Sequence, residues 1–305
     1  MAAHLPTGIS SGHGRYSAGM DVGRFGVWWS GSWRVAAQPT VDAASELESL
    51  GYGAIWSSGG FEPGLSPTFG RLLADTARIA VASGIVSMWT GAPSDVGPAV
   101  AALESRFPGR FLLGVGASHA PLVSDYTRPY SRMVDYLDAL DALATPVPVD
   151  RRALAALGPR MLELAARRTA GAHPYFVPVE HTARARSILG PAPLLAPEVA
   201  VVLETDPAAA RALAREYASL YLELPNYTQN LRTFGFGDRD IDGGGSDRLI
   251  DAVIPWGNAT TIAIRIREHQ DAGADHVCLQ VISHSGRDGF PLAEYRELAG
   301  ALFGS

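Results

Sequence analysis

The pattern of apolar and polar residues predicts strands and helices that alternate along most of the chain. Short apolar runs give the predicted strands Arg24–Trp29, Gly53–Ser57, Ile79–Met88, Arg110–Ala117, Arg152–Leu157, Ala172–Val177, Glu198–Glu204 and Asp275–Val281. Amphipathic stretches give the predicted helices Thr40–Leu50, Pro67–Ala77, Asp95–Phe107, Arg128–Leu143, Pro159–Gly171, Val179–Leu189, Asp206–Leu224, Asn258–Ala272 and Pro291–Phe303. This alternation predicts an α/β fold, with a (β/α)8 TIM barrel favoured and a doubly wound sheet as the alternative.

Residues 23–305 are predicted to form a single domain, since no change in composition divides them. Residues 1–22 are rich in glycine, serine and histidine and are predicted to be a disordered tail. The stretch Leu224–Ile254 is longer than a simple link between a helix and the last strand. It contains Gly243-Gly244-Gly245, so we expect a flexible insertion that acts as a lid near the active face.

Composition excludes several classes of function. The 305 residues carry a net charge of −6, which argues against nucleic acid or an anionic membrane as a partner. All 25 basic residues are arginine, so a P-loop lysine, a Schiff base and any catalytic lysine are excluded. The single cysteine, Cys278, excludes an internal disulfide and favours a cytoplasmic location. No apolar run is long enough to cross a membrane, and no two histidines have the spacing of metal ligands.

The segment around Gly158 has the pattern of a strand, a tight turn and the start of a helix. The apolar run from Ala153 to Leu157 stops at Gly158, and Pro159 follows where a helix can begin. Free N–H groups in the first turn of that helix, with Arg160 beside them, would form an anion site suited to a phosphate. An ordinary turn between a strand and a helix is the alternative.

In a barrel, the residues at the carboxyl ends of the strands carry the chemistry. They are Trp28-Trp29, Ser57-Ser58, Ser87-Met88-Trp89, Ala117-Ser118-His119, Gly158-Pro159, Tyr175-Phe176, Glu204 and Val281-Ile282-Ser283-His284. This set is poor in carboxylates, which argues against glycosidase chemistry. Together with the anion turn, it suits a planar, phosphorylated cofactor that supplies the difficult chemistry. A place in the barrel core is the alternative for Trp28, Trp29 and Trp89.

Five motifs, each weak alone, together indicate a family. They are Gly84-Ile85-Val86-Ser87-Met88-Trp89, Phe107-Pro108-Gly109-Arg110-Phe111-Leu112-Leu113-Gly114-Val115-Gly116, Ser118-His119-Ala120-Pro121, Arg128-Pro129 and Leu157-Gly158-Pro159-Arg160-Met161-Leu162. From about Gly23 to Val281 the chain resembles the bacterial luciferase-like oxidoreductases, specifically the actinobacterial branch expected to use the deazaflavin coenzyme F420. The resemblance implies a (β/α)8 barrel with F420, or alternatively FMN, in its C-terminal mouth. It also implies a small-molecule substrate and a homodimer.

The resemblance and the residues at the strand ends together give the expected site residues. A bulge in the third strand, often with a non-proline cis peptide behind the cofactor ring, is expected near Ser83-Gly84-Ile85. The expected cofactor-binding residues are Ser83, Gly84, Ile85, Trp89, Gly116, Ser118, Gly158, Pro159 and Arg160. The expected catalytic residues are His119, as the acid/base, and Ser87, as a hydrogen-bond donor. The expected substrate pocket consists of Trp29, Ser57, Ser58, Tyr175 and His284.

The chain departs from many relatives at the end of the second strand, where an acidic residue and a histidine often follow Trp-x-x. Here Trp56-Ser57-Ser58 is followed by Gly59-Gly60. We therefore favour hydride transfer between F420 and a small organic substrate, with two alternatives: FMN-dependent monooxygenation and cofactor binding without turnover. The sugar-phosphate dehydrogenases of this family hold the substrate phosphate with lysines, and this chain has none, so the resemblance implies that a sugar phosphate is not the substrate.

Overall fold

A computed structural model describes residues 20–29, 37–59, 65–283 and 289–304. The strands are Phe25–Trp29 (β1), Ala54–Ser57 (β2), Ala80–Ser83 (β3), Val86–Ser87 (β4), Phe111–Gly116 (β5), Arg152–Leu154 (β6), Gly171–Ala172 (β7), Leu194–Leu195 (β8), Glu198–Val201 (β9) and Val277–Val281 (β10). The helices are Ala37–Ser49 (α1), Pro67–Ala74 (α2), Pro93–Arg106 (α3), Pro129–Asp141 (α4), Pro159–Arg168 (α5), Val179–Leu189 (α6), Pro207–Leu222 (α7), Pro225–Arg232 (α8), Asp238–Ile241 (α9), Asp247–Val253 (α10), Ala259–Asp271 (α11) and Leu292–Phe303 (α12).

The strands form a parallel sheet in the order β8-β7-β6-β5-β3-β2-β1-β10-β9, and β4 pairs with β5. The two ends of this order, β8 and β9, follow one another in the chain and are separated only by Ala196 and Pro197. Backbone hydrogen bonds continue through this junction on both sides, from Ala196 N to Ala172 O and from Cys278 N to Pro197 O, both at 2.9 Å. The sheet is therefore curled, and the expected α/β class is confirmed.

Alternation along the strands sends side chains to two faces of the curled sheet. On the outer face, Phe25, Val27 and Trp29 of β1 join a large core with the surrounding helices. On the inner face, Trp28 of β1 and Trp56 of β2 lie in a smaller cluster. The other members of that cluster include the small residues Ala54, Ala80, Ala82, Ala153, Ala170 and Ala196. These short side chains leave the space inside the curled sheet that the two indoles fill.

Two histidines fix Trp56 on the inner face. Trp56 Nε1 donates to His276 Nε2 at 3.0 Å, and His276 Nδ1 donates to Gly23 O at 2.9 Å. The ring of His173 stacks on Trp56 with centroids 4.1 Å apart, and His173 Nδ1 donates to Ala196 O at 2.6 Å. Burial lowers the pKa of both imidazoles to about 4, so both are neutral at neutral pH.

The seventh strand is much shorter than predicted. The sequence predicts a strand over Ala172–Val177, whereas β7 covers only Gly171–Ala172. Pro174 has no N–H to donate, and Phe176 has a φ of 54°. The backbone therefore leaves the ladder soon after Ala172, because neither residue can continue it.

The neighbours of β7 are affected as well. β6 ends at Leu154, three residues before the predicted end at Leu157, because the short β7 offers no partner beyond that point. On the other side, the sequence predicts one strand over Glu198–Glu204 and misses β8. Pro197 lies between β8 and β9 and interrupts the apolar run. Because β8 is only a short apolar pair next to this proline, the sequence pattern did not predict it as a strand.

The segment Leu224–Ile254 is largely helical, and the sequence did not predict these helices. It contains α8, α9 and α10, and Gly243, Gly244 and Gly245 make the turn between α9 and α10 with φ values of 66°, 85° and 99°. Apolar residues of these helices pack with α7 in a second core. At the other end of the chain, Met20 and Val22 of the predicted tail are buried in the inner cluster, and residues 1–19 lie outside the described residues.

We predict that Gly114→Ala destabilises the protein whereas Gly70→Ala stabilises it. A Cβ on Gly114 in β5 would lie 1.9 Å from the backbone oxygen of Ser83, so the neighbouring strands must shift, at a cost of roughly 1–3 kcal/mol. A Cβ on Gly70 in α2 meets only Leu103 Cδ2 at 3.6 Å, so alanine gains helix propensity of about 0.5–1 kcal/mol. Urea unfolding of both variants measures the difference. Equal stability of Gly114→Ala and the parent would contradict the strand spacing described.

Candidate active site

Trp28 lies at the end of the inner cluster that faces the mouth, the end of the curled sheet where the parallel strands terminate. Its ring is 5.1 Å from that of Tyr175 in an edge-on contact and 5.8 Å from that of His173 in a stacked one. A Cβ on Gly84 would lie 2.3 Å from Trp28 Cζ3. The position of the indole therefore requires glycine at residue 84.

The third strand is interrupted beside Trp28. Gly84 and Ile85 separate β3 from β4, and the peptide bond between them is cis, as expected from the family resemblance. Gly84 N donates to Ser57 O at 2.7 Å, and Ile85 O accepts from Gly59 N at 3.2 Å. Both residues of the bulge, Gly84 and Ile85, are therefore hydrogen-bonded to the backbone at or just after the end of β2.

Three predicted site residues do not present their side chains to the mouth. The hydroxyl of Ser83 donates to Gly114 O at 2.9 Å and accepts from Gly114 N at 2.8 Å, so it holds β3 against β5 and is not a cofactor ligand. Trp29 packs in the outer core with its ring 4.1 Å from that of Phe290. Ser57 is buried and donates to Trp29 O at 3.1 Å. The predictions for Trp29 and Ser57 are wrong because alternation turns both away from the inner face.

The end of β5 carries the candidate acid/base. After Gly116 the chain turns through Ser118, which has a φ of 55°, and reaches His119. His119 Nδ1 donates to Asn226 Oδ1 at 3.1 Å, and the imidazole lies 5.2 Å from the ring of Tyr227. Burial lowers the pKa of His119, and the bond to Asn226 opposes this effect. The imidazole is therefore neutral at neutral pH, with Nε2 as its acceptor atom.

Ser87 and Trp89 follow the bulge. Ser87 is buried, and its Oγ accepts from Trp89 N at 3.3 Å, a bond that leaves the hydroxyl proton uncommitted. Trp89 Nε1 donates to Ala117 O at 2.6 Å, and its ring lies between Tyr126 and the guanidinium of Arg132, at 5.5 and 5.9 Å. Trp89 is half-buried in the loops above the sheet and so is not part of the inner cluster.

The turn after β6 is open. Gly158 is the N-cap of α5 with extended backbone (φ −82°, ψ 157°), and a Cβ there would have no atom within 4 Å. Pro159 has no N–H, and Met161 N donates to Gly158 O at 3.1 Å, so the turn offers fewer free donors than predicted. The guanidinium of Arg160 lies 4.2 Å from the ring centroid of Tyr130. The turn thus has room, an arginine and a helix N-terminus.

A buried acid lies inside the sheet, and the sequence reasoning missed it. Glu198 begins β9 and is 0% exposed, so it does not belong to the residues at the carboxyl ends of the strands. Its Oε2 accepts from Phe176 N at 3.2 Å, and its Oε1 accepts from the Tyr217 hydroxyl at 3.4 Å. Burial raises the pKa of Glu198 to about 8, although both hydrogen bonds favour the carboxylate. The signal in the sequence was a glutamate at the start of the apolar run that follows it, residues 199–203.

Three tyrosines and a glutamine surround this acid. The hydroxyl of Tyr175 donates to Gln280 Oε1 at 2.6 Å and lies 2.9 Å from that of Tyr221. The hydroxyl of Tyr217 lies 2.9 Å from that of Tyr175 and 3.1 Å from Gln280 Oε1. Of this group, the sequence placed only Tyr175 in the site. Tyr217 and Tyr221 come from α7, whose helical pattern gave no sign that it reaches the mouth.

Two further residues were predicted to line the substrate pocket, Ser58 and His284. Ser58 is exposed just beyond β2, and His284 lies outside the described residues.

Across residues 20–29, 37–59, 65–283 and 289–304, no three side chains of His, Cys, Asp or Glu form a possible metal site. No helix in the same ranges combines the length and hydropathy that crossing a membrane requires.

Comparison with known proteins gives the class to which this fold and mouth belong. A family model described as luciferase-like monooxygenase matches residues 20–276. The chain therefore belongs to the luciferase-like monooxygenase family. No curated protein sequence matches the chain.

Solved structures share the fold at low sequence identity. An F420-dependent secondary alcohol dehydrogenase, in complex with an F420-acetone adduct, has a TM-score of 0.70 and 15% identity, over 92% of this chain and 98% of that one. The F420-dependent tetrahydromethanopterin reductase from Methanopyrus kandleri has a TM-score of 0.62 and 15% identity, over 93% and 98%. The oxygenating constituent of 3,6-diketocamphane monooxygenase from Pseudomonas putida, in complex with FMN, has a TM-score of 0.58 and 17% identity, over 90% and 95%. Structural neighbours thus include both F420-dependent enzymes and an FMN monooxygenase.

We predict that Glu198→Gln removes one component of the pH dependence of stability. The pKa of Glu198 is about 8 in the folded protein against an ordinary value of 4.5, so the folded state keeps a proton that the unfolded state loses. Relative to the variant, the parent should lose stability as pH rises from about 4.5 to about 8, by roughly 1.4 kcal/mol per pH unit at most. Urea unfolding across this range measures it. A constant difference between parent and variant would show that Glu198 is already ionised in the fold.

Proposed function

We propose that this protein is an F420-dependent oxidoreductase that transfers a hydride between the deazaflavin and a small organic substrate. The observation that carries this proposal is the open turn at Gly158, at the same end of the sheet as the aromatic floor around Trp28. Bound there, the deazaflavin would supply the hydride chemistry at its C5. The curled sheet would be the (β/α)8 barrel of the family, and the helices of Leu224–Ile254 would cover its mouth as a lid.

The residues at this turn suit a phosphorylated cofactor. The space beside Gly158 holds no protein atom, so backbone can approach a phosphate there. The N-terminus of α5 and the charge of Arg160 favour an anion at the same place. A planar ring would lie toward the bulge at Gly84 and Ile85, with Trp89, Gly116 and Ser118 beside it.

His119 is the proposed acid/base. Its Nδ1 proton is committed to Asn226, which leaves the lone pair of Nε2 to accept the hydroxyl proton of a substrate. No hydrogen bond to Nε2 occurs within the part of the chain that the structure describes. Asn226 and Tyr227 both belong to α8, so this helix of the proposed lid orients the imidazole. Ser87 is the proposed hydrogen-bond donor beside it.

We predict that F420 binds at least tenfold more tightly than FMN, a difference of about 1.4 kcal/mol. The longer anionic tail of F420 gains from Arg160 and the α5 N-terminus, which the shorter FMN contacts less fully. Fluorescence titration of the purified protein with each oxidised cofactor measures both affinities. Equal or reversed affinities would favour an FMN-dependent monooxygenase instead, which the fold shared with the Pseudomonas putida enzyme also accommodates.

We predict that Gly158→Val weakens cofactor binding by about tenfold or more while the fold survives. The valine side chain would meet no protein atom but would occupy the path of the phosphate. Gly237→Val is a matched control, because Gly237 is the N-cap of α9 with equally open, extended backbone. Titration with F420 and thermal unfolding are measured on both variants. Normal binding by Gly158→Val would place the phosphate elsewhere.

We predict that His119→Ala lowers turnover by roughly 10²–10⁴-fold and changes cofactor affinity much less. Stopped-flow reduction or oxidation of the bound cofactor, beside a binding titration, separates the two effects. Asn226→Ala should give a smaller loss of turnover, because the imidazole remains but loses its orienting bond. Loss of binding without a separate kinetic effect would make His119 a cofactor contact.

A protein that binds F420 but turns over no member of a panel of alcohols, aldehydes, imines and enones would be a binding protein. The absence of the acid and histidine that follow Trp-x-x in many relatives, where this chain has Gly59-Gly60, would then be the reason.

A further inference from the structure

The side-chain amide of Gln280 has no part in the function proposed so far. Gln280 is the last residue but one of β10, and alternation places it on the inner face together with Cys278. The register pairs Gly26 of β1 with Cys278, so Trp28, two residues further along β1, lies level with Gln280. Both side chains therefore lie at the floor of the mouth, where these two neighbouring strands end.

Two phenols determine which way the amide of Gln280 points. The Tyr175 hydroxyl donates to Gln280 Oε1 at 2.6 Å, and the Tyr217 hydroxyl lies 3.1 Å from the same oxygen. A separation of 2.6 Å is usual for an O–H···O bond but too short for an N–H···O bond, so the oxygen of the amide faces the phenols. An amide oxygen has two lone pairs and can accept from both phenols at once. The NH2 group of Gln280 therefore points away from the two tyrosines.

The amide nitrogen of Gln280 is open to solvent on the side of the mouth. It has no hydrogen-bond partner among the described residues, yet it is not one of their fully buried atoms that lack a partner. The 6% exposure of Gln280 therefore includes Nε2. Below it, Cys278 and Trp56 are 0% exposed, whereas Trp28, level with it, is 8% exposed. Solvent thus reaches the amide from the mouth and not from the interior of the sheet.

Gln280 lies on the side of the mouth that the proposed cofactor leaves open. The ring is proposed to lie at the bulge of Gly84 and Ile85, between β3 and β4, and the phosphate at Gly158, after β6. In the order of the sheet, β10 lies between β1 and β9, which is across the curl from β5 and β6. A ligand that reaches Gln280 is therefore expected to be the substrate and not the phosphate end of the cofactor.

The groups around this amide favour an uncharged oxygen as its acceptor. Burial raises the pKa values of the phenols of Tyr175 and Tyr217, and it raises the pKa of Glu198, beyond Tyr217, to about 8. All three groups are therefore uncharged at pH 7. An anionic ligand would lose its hydration here without gaining a cationic partner from these groups, whereas a carbonyl oxygen needs only a hydrogen-bond donor.

We propose that Gln280 is a substrate-binding residue, whose Nε2 donates a hydrogen bond to the carbonyl oxygen of an uncharged ketone or aldehyde. The inference rests on the proposed function, since it names the substrate class of the same site. A donor at this oxygen stabilises the negative charge that develops there when a carbonyl accepts a hydride. The ring of Tyr227 lies 6.4 Å from that of Tyr175 and 5.2 Å from that of His119, so it connects the Gln280 side of the mouth to the proposed acid/base.

The test uses two probes of the same shape, acetophenone and α-methylstyrene, in which a CH2 group replaces the carbonyl oxygen. Both are titrated into the full chain with and without F420. The chain has only four glutamines, at positions 38, 229, 270 and 280, so selective ¹⁵N labelling of their side chains gives four NH2 signals that substitution of each glutamine assigns. The variant is Gln280→Met, which removes the amide at similar length. Gln229→Met is the matched control, because Gln229 is exposed on α8.

In the parent, acetophenone should shift one Nε2 proton signal of Gln280 downfield and should bind about tenfold more tightly than α-methylstyrene. Gln280→Met should bind the two probes about equally, because methionine cannot donate, and Gln229→Met should match the parent. A merely structural role for Gln280 would weaken the binding of both probes alike and keep the preference for the ketone. The NH2 signal of the parent tests the same hydrogen bond without depending on the fold of Gln280→Met.

Three results would overturn the inference: no preference of the parent for acetophenone with or without F420, an unmoved Gln280 signal, or the same preference in Gln280→Met as in the parent. Failure of the inference can be told apart from failure of the proposed function. If F420 does not bind but the probes behave as expected, the proposed function fails and the inference about Gln280 stands. If F420 binds and the parent does not distinguish the probes, the inference alone fails.

Discussion

The packing of two indole rings inside the curled sheet constrains the strands around them. Trp28 and Trp56 fill an interior whose other members are mostly alanine, so any larger side chain there would compete for the same space. His276 and His173 then fix Trp56 through a hydrogen bond and a stacked contact. The position of Trp28 in turn requires Gly84, and so it determines where the third strand is interrupted.

This constraint connects the interior to the candidate site. The bulge at Gly84 and Ile85, the floor at Trp28 and the edge-on Tyr175 are successive contacts of one cluster. The groups that face the mouth from below carry no charge at neutral pH, since burial lowers the pKa of His173 and raises that of Glu198. Arg160 lies beside the open turn at Gly158. A neutral interior with an arginine beside this turn suits an uncharged substrate and an anionic cofactor tail.

Periodicity alone predicted most of the helices and the α/β class, because nearly every helix has an apolar stripe that packs on the sheet. Periodicity failed at the short strands β7 and β8, which few backbone hydrogen bonds hold in the sheet. Pro174 and Pro197 interrupt the strands there, but they do not change the apolar pattern from which strands are predicted. Trp29 and Ser57 were misplaced for a different reason. Both lie at strand ends, but the sequence does not say which of two adjacent residues faces inward until the register is known.

The buried acid network shows a further limit. Glu198 of β9, Gln280 of β10 and the α7 residues Tyr217 and Tyr221 come from three elements and meet only in the fold, so no local motif could have assembled them. By contrast, His119 and Gly158 could be proposed from the sequence because each lies within a motif that carries the family resemblance. Asn226, the hydrogen-bond partner of His119, was missed because it lies in the segment Leu224–Ile254, whose helices the sequence did not predict.

A crystal structure of the protein with F420 tests the central claim most directly. We expect the deazaflavin ring to lie against the bulge at Gly84 and Ile85, above Trp28, and the phosphate to lie in the open space beside Gly158 within reach of Arg160. A cofactor bound outside this mouth, or a phosphate held away from the α5 N-terminus, would contradict it.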